Sequence, residues 1–285
     1  MNGFKVALLM TGLVILFMFL GGLLGGRQGM MFAFVVACAM NFVTYWYSEK
    51  IVLKMYRARQ IGEQDHRQLF ETVRRVSTNA QIPMPRVYIV PTAAPNAFAT
   101  GRSPDNAAVA VTEGLLATLE PGELEGVIGH ELAHIQNRDM LIGTIAATFA
   151  GAIGLIASVA RWGAMFGGLS RSDDDNGGGF ALLLTAIVAP LIALVLQMAI
   201  SRQREFKADA EGARFTGKPE ALAAALEKLH RAPVRLNLDK RPATAHLMIA
   251  NPLSGRGLSA LFSTHPKVED RVRRLKEMAT NKSYA

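Results

Sequence analysis

Four stretches of nearly uncharged residues constrain this chain more than anything else in it. They cover residues 4–26, 29–47, 140–160 and 177–200, and each is close to the roughly 20 residues that cross a bilayer as a helix. Lys5 at an edge and Asn41 within the second are the only notable polar interruptions of the first two. Half of the 285 residues are hydrophobic, more than a soluble enzyme of this length needs for its core, so the excess is assigned to membrane spans. The first stretch is longer than the apolar part of a cleaved leader, lacks a strongly basic start and is followed at once by a second span, so it reads as a retained anchor. The third, rich in Gly and Ala, also fits a buried helix of a soluble protein.

Charge gives the orientation. Lys50, Lys54, Arg57 and Arg59 follow the second stretch, and Arg202, Arg204 and Lys207 follow the fourth, whereas residues 161–176 set Arg161 and Arg171 against Asp173, Asp174 and Asp175. The bias of Lys and Arg toward the cytoplasm then places both termini and both long polar segments on that side. The expected organisation is two transmembrane helices (1–47), a polar catalytic part (48–139), a transmembrane hairpin (140–200) and a second polar part (201–285). Residues 201–285 hold 17 Lys and Arg against nine Asp and Glu. Beside a bilayer, such an excess points to anionic headgroups; no nucleic-acid motif accompanies it, and nucleic-acid binding is not expected. The single cysteine, Cys38, lies in the second stretch, which excludes intramolecular disulfides and a Cys-ligated metal.

The polar part carries its chemistry at His130-Glu131-Leu-Ala-His134. On a helix, residues four apart share a face about 6 Å apart along the axis, so His130 and His134 can offer two imidazole nitrogens to one tetrahedral Zn²⁺. Glu131 adjoins the first ligand and can accept a proton from a water without itself being a ligand. That is what metal-assisted peptide hydrolysis requires. Leu124, Val127, Ile128, Leu132 and Ile135 make the surroundings apolar, where polar groups are costly without a shared partner.

Between the second stretch and this motif, residues 48–79 read as a helical connection, either lying on the membrane surface or simply solvated. Residues 86–90, 96–101 and 107–111 have the composition of short strands, and a small antiparallel sheet is expected. Thr112 is placed to cap a following helix and Pro121 to open the motif helix. A hairpin returns the chain to where it began, so the polar turn after the fourth stretch should lie beside the motif helix. That turn carries Glu205 and Asp209, four apart. Glu205 can complete a His₂Glu site with one Zn²⁺ per chain, and Asp209 can orient one zinc histidine through its distal ring nitrogen.

Together, His-Glu-Leu-Ala-His at 130–134, Arg-Glu-Phe-Lys-Ala-Asp-Ala at 204–210, Asn-Ala-Phe-Ala-Thr-Gly at 96–101 and Thr-His-Pro at 264–266 resemble the HtpX membrane metalloproteases, relatives of the CAAX prenyl endopeptidases. The resemblance implies a mainly α membrane protein with four transmembrane helices and a cytoplasmic, zincin-like α+β catalytic domain. It implies a plasma-membrane endopeptidase acting on damaged or misfolded membrane proteins, with His130, His134 and Glu205 as ligands and Glu131 as catalytic residue. Asn96 and Ala97 are similar to the edge-strand residues that hold substrate backbone in His₂Glu peptidases; a turn after Pro95 is the plainer reading. His265 is a candidate to stabilise negative charge in the transition state, as is Arg271, although His265 before Pro266 could also be a loop residue. Two rival readings stand: a membrane scaffold or chaperone with a structural zinc closed by His265 or His246, and a metal transporter. The latter expects ionisable ligands in mid-span, and none is present.

Overall fold

The computed structural model describes residues 2–142, 145, 202–232 and 266–281. Most of the stretches 140–160 and 177–200, together with His246 and His265, lie outside the described residues. The first element, α1 (Asn2–Met55), is broken at Gly25 and Gly26, the latter at φ 56°, a conformation glycine adopts without a Cβ penalty. The two arms fold back on each other. A Cβ on Gly21 would stand 2.4 Å from the carbonyl oxygen of Gly29, and the Asn41 side-chain amide donates to the Met10 carbonyl (3.0 Å), which gives that amide a partner in the other arm. The second arm, Gly25–Met55, has 31 residues and is long and apolar enough to cross a membrane, while Val6–Gly22 forms a shorter apolar helix. Phe4, Phe19, Phe32 and Phe42 project outward from α1 and are exposed. Large side chains spread along one helix in this way are suited to lipid.

Beyond α1 come β1 (Arg59–Ile61), α2 (Arg67–Asn79), β2 (Arg86–Val90), β3 (Ala97–Ser103), β4 (Asn106–Thr112), α3 (Glu113–Thr118), α4 (Pro121–Gln136), α5 (Arg202–Thr216), α6 (Pro219–Arg231) and α7 (Val268–Asn281). The sheet order is β1-β2-β4-β3. The sheet is not antiparallel as expected but mixed: β4 runs parallel to β2 and antiparallel to β3. The connection after β2 reverses the chain and skips one strand position to reach β3, and the tight hairpin then returns β4 into the gap, parallel to β2, which leaves β3 at the edge. Nor is residues 48–79 one helical connection, since β1 interrupts it to pair with β2.

Both faces of the sheet are covered, which is why β4 reads as an unbroken Ala and Val run rather than an alternation. Val90, Phe98, Ala108 and Ala110 pack with Val52 and Leu53 at the end of α1. On the other face Val87, Ala97, Ala99, Val109 and Val111 join Leu69, Val73 and Val76 of α2 and Val127, Ile128 and Leu132 of α4 in the main core. Thr112 caps α3 by accepting from the Leu115 N–H (3.1 Å). Glu120 and Glu123 form a capping box at the start of α4, on either side of Pro121.

Two glycines govern how closely α4 meets α5. A Cβ on Gly129 would lie 2.7 Å from the Gly212 carbonyl oxygen, and one on Gly212 would lie 2.6 Å from the His130 nitrogen. Both obstacles are backbone, which does not yield as a flexible side chain does. Gly212→Ala is therefore expected to destabilise the folded domain by about 1–3 kcal/mol, read as a lower unfolding temperature in detergent. Gly122→Ala, which meets nothing within 4 Å, should leave stability unchanged or raise it.

Candidate metal centre

The crossing of α4 and α5 brings His130, His134 and Glu205 together, with one ligating atom from each lying within 4.8 Å of the others. The two Nε2 atoms are 3.2 Å apart, and the Glu205 carboxylate oxygens stand 3.8 Å from His130 Nε2 and 3.7 Å from His134 Nε2. Each imidazole is gripped at its other nitrogen. His130 Nδ1 lies 2.9 Å from Asp209 Oδ1, and His134 Nδ1 lies 3.3 Å from Asp139 Oδ2. With Nδ1–H donating to a carboxylate, both Nε2 lone pairs face one another beside a carboxylate. Two such acceptors and an anion repel unless a cation lies among them, so this donor set fits a metal ion with N and O preference.

Asp139 was not singled out from the sequence. The end of α4 forms a Schellman turn: Asp139 N–H donates to the His134 carbonyl and Arg138 N–H to that of Ile135, both at 3.0 Å, with Arg138 left-handed at φ 58°. That turn folds the Asp139 carboxylate back onto the ring one and a half turns before it. The available signal was an Asp five residues past the second histidine at a helix end.

Arg271 of α7 is 1% exposed and forks onto Asp209, donating from Nη2 to Oδ1 (2.6 Å) and from Nε to Oδ2 (2.8 Å). Its Nη1 is 3.8 Å from Glu205. It therefore braces the carboxylate that braces His130. Burial by itself would raise the Asp209 carboxyl, but Arg271 and the His130 contact outweigh it and hold Asp209 at about 2. On the other side, Arg204 stands 4.0 Å from Asp139, and its Nε and Nη1 are buried without a hydrogen-bond partner among the described residues.

Burial is also the largest influence on the histidines. It lowers His130, while at His134 it is overridden by the hydrogen bond to Asp139 and the charges of Glu205 and Glu131, which lift that ring to about 9. The two neighbouring rings thus move in opposite directions. The direction at His134 follows from three carboxylates around it, an anionic pocket that attracts positive charge of any kind. Burial pushes Glu131 up to about 7, against the opposing charge of His134 and a hydrogen bond from the backbone of Ala99.

That last contact fixes Glu131 against the edge of the sheet. Thr112 N–H donates to the Asn96 carbonyl (2.9 Å), and Asn96 N–H donates to Thr112 Oγ1 (2.8 Å). With Ala97 opposite Val111 and Ala99 opposite Val109, the alternation of an antiparallel ladder turns the backbone groups of Ala97 and Ala99 away from β4, toward the side of β3 that pairs with no other described strand, where both residues are buried. Ala97 and Ala99, whose N–H holds Glu131, thus present their backbone groups on one side of β3, whereas the backbone of Asn96 is occupied by Thr112.

An imidazole pair on one helix, a carboxylate on a crossing helix and a strand edge alongside are the parts of a metallopeptidase site. Residues 63–279 match the model of Peptidase family M48, and the chain belongs to the HtpX group of that family. It is 55% identical to a "Protease HtpX homolog" of Desulfatibacillum aliphaticivorans, over 96% of this chain and 89% of that protein. It is 54% identical to one of Syntrophobacter fumaroxidans, over 96% of this chain and 99% of that protein. The crystal structure of S. mikatae Ste24p shares the fold at a TM-score of 0.55 and 16% identity. That likeness covers 93% of this chain but 62% of the Ste24p chain, so this chain spans about three fifths of that structure.

Arg271→Ala should cost about 3–5 kcal/mol, since it strands a buried carboxylate; chemical unfolding in detergent measures it. The pH dependence carries a definite sign. A carboxyl lowered from its ordinary 3.8 to about 2 contributes stability that is complete above pH 4 and disappears as the pH falls through 2. Acid unfolding of the wild type should steepen in that window, and Asp209→Asn should flatten it.

Proposed function

We propose that the chain is a membrane-anchored zinc endopeptidase. His130, His134 and Glu205 hold one Zn²⁺, and peptide bonds of damaged or misfolded membrane proteins are cut on the cytoplasmic side. The observation that carries this reading is the convergence of three side chains able to ligate a metal beside Glu131 and the edge strand β3. When bound, the zinc ion would polarise the substrate carbonyl and make a water molecule more acidic. Glu131 acts as general base, removing a proton from that water and returning it to the leaving amine nitrogen. A carboxyl raised by burial to about 7 suits both halves of that transfer near neutral pH.

The substrate lies along β3, where the outward N–H and C=O of Ala97 pair with its backbone. The Ala99 N–H holds Glu131 at the same edge, which sets the base against the bond to be cut. Asn96 serves as the anchor of that strand through Thr112. Asp209, braced by Arg271, and Asp139 orient the two imidazoles. With Arg271 committed to Asp209, His265 is left as the candidate to counter the charge that builds on the carbonyl oxygen. Lys50, Lys54, Arg57 and Arg59 beyond the apolar arm of α1 support a cytoplasmic site, and the burial of Val52 and Leu53 against the sheet supports a catalytic domain seated at the bilayer.

Glu131→Gln should retain zinc by elemental analysis yet lose at least ~100-fold in cleavage of a membrane-protein substrate. His134→Ala and Glu205→Ala should lose the metal itself. Wild-type cleavage by Glu131→Gln would remove Glu131 from its assigned role.

A further inference from the structure

Where α1 leaves its apolar arm it meets the β3–β4 hairpin, and a cleft of ≈460 Å³ opens between them. Phe42, Trp46, Lys50, Arg86, Arg102 and Asn106 are among the residues that line it. Phe42, Trp46 and Tyr47 are 59%, 47% and 46% exposed. Three large aromatics on one helix end are costly in water but favoured at the boundary between lipid tails and headgroups. Opposite them stands a basic wall. Arg86 is paired with Glu49, the one carboxylate of the lining. Arg102 stacks its guanidinium 4.4 Å from the Trp46 ring centre and reaches the Trp46 carbonyl and Asn106 Oδ1 only at 3.4 Å each, the long end of hydrogen bonding. Lys50 Nζ lies 5.6 Å from the Tyr47 ring centre. Among the described residues neither Lys50 nor Arg102 has a carboxylate within ion-pair distance; Glu49, already paired with Arg86, is the one carboxylate whose charge both also feel, so the lining holds three cations against one anion beside an aromatic, membrane-facing wall.

We propose that this cleft binds the headgroup of an anionic phospholipid. The phosphate sits between Lys50 and Arg102, and the acyl chains run along the Phe42 and Trp46 side of α1. A bilayer lipid rather than a free phosphate is the occupant because the second wall is apolar and continues into a helix of membrane-spanning length. Arg102 lies three residues along β3 from Ala99, the residue that holds Glu131. A bound headgroup would therefore tie the edge on which substrate is proposed to lie to the bilayer surface. This inference rests on the membrane reading of α1 but on neither the metal nor peptide cleavage.

The test uses the full chain with Trp162→Phe, which leaves Trp46 as the single tryptophan of the two. The protein is reconstituted in phosphatidylcholine vesicles carrying either brominated phosphatidylglycerol or brominated phosphatidylcholine, and quenching of Trp46 is measured. Both lipids should quench, the anionic one more strongly at equal mole fraction. Lys50→Gln and Arg102→Gln should each lower that preference about fivefold, and Lys54→Gln, outside the cleft, should not. Equal quenching by the two lipids, or a preference that survives the double substitution or is lost equally with Lys54→Gln, overturns the headgroup site. Abolition of the preference by inorganic phosphate overturns the lipid as its occupant. No quenching by either lipid would take α1 out of the bilayer and the cleft with it, leaving the metal and cleavage assignments untouched.

Discussion

The backbone contact of α4 with α5 at Gly129 and Gly212 is the constraint from which the centre follows. Helices ordinarily pack 8–10 Å apart, at a distance set by the side chains between them. Where neither contributes a side chain they can come closer, and here a carbonyl of one meets the backbone of the other. His130 follows directly after Gly129, and Glu205 and Asp209 precede Gly212 by two turns and by three residues. The crossing therefore delivers an imidazole pair and two carboxylates to one volume without any long, flexible side chain having to span a gap.

Concentrating charge in that volume carries a desolvation penalty that only further charge can offset. Each histidine is backed by an aspartate, and each aspartate has an arginine near it: a tight two-pronged contact from Arg271 on one side, a looser approach by Arg204 on the other. The three layers of ring, carboxylate and guanidinium alternate in sign outward from the two Nε2 atoms. Polar groups that would be liabilities singly become a rigid frame, with ring orientations set before any metal or substrate arrives.

The sheet supplies the second half of the arrangement. Because β4 enters between β2 and β3, the short hairpin strand β3 is left at the edge, and its Ala99 backbone holds Glu131 of α4 there. Near the end of the same strand Arg102 stacks on Trp46 of α1. One seven-residue strand thus spans the distance from Glu131 to the aromatic end of the long apolar helix, which links the proposed anchor to the proposed chemistry.

Much of this is written locally. The spacing of His130 and His134, the caps at Thr112 and Pro121, the glycine break between the two N-terminal apolar runs and the pairing of Glu205 with Asp209 on one face all follow from periodicity and backbone preference, which act over a few residues. Strand order did not follow, because parallel and antiparallel neighbours make the same local demands and differ only in which edge is free when β4 arrives. Arg271 could be read as a group aimed at substrate; only the docking of α7, some sixty residues from Asp209 along the chain, shows its charge spent on a buried carboxylate. Asp139 was hidden for a smaller reason, a left-handed Arg138 that composition does not announce. Residue types and their spacing determined what chemistry the chain can hold, since helical geometry is local. Which charge neutralises which other was decided by tertiary structure alone, since Coulombic pairing depends on distance in space and is blind to distance in sequence.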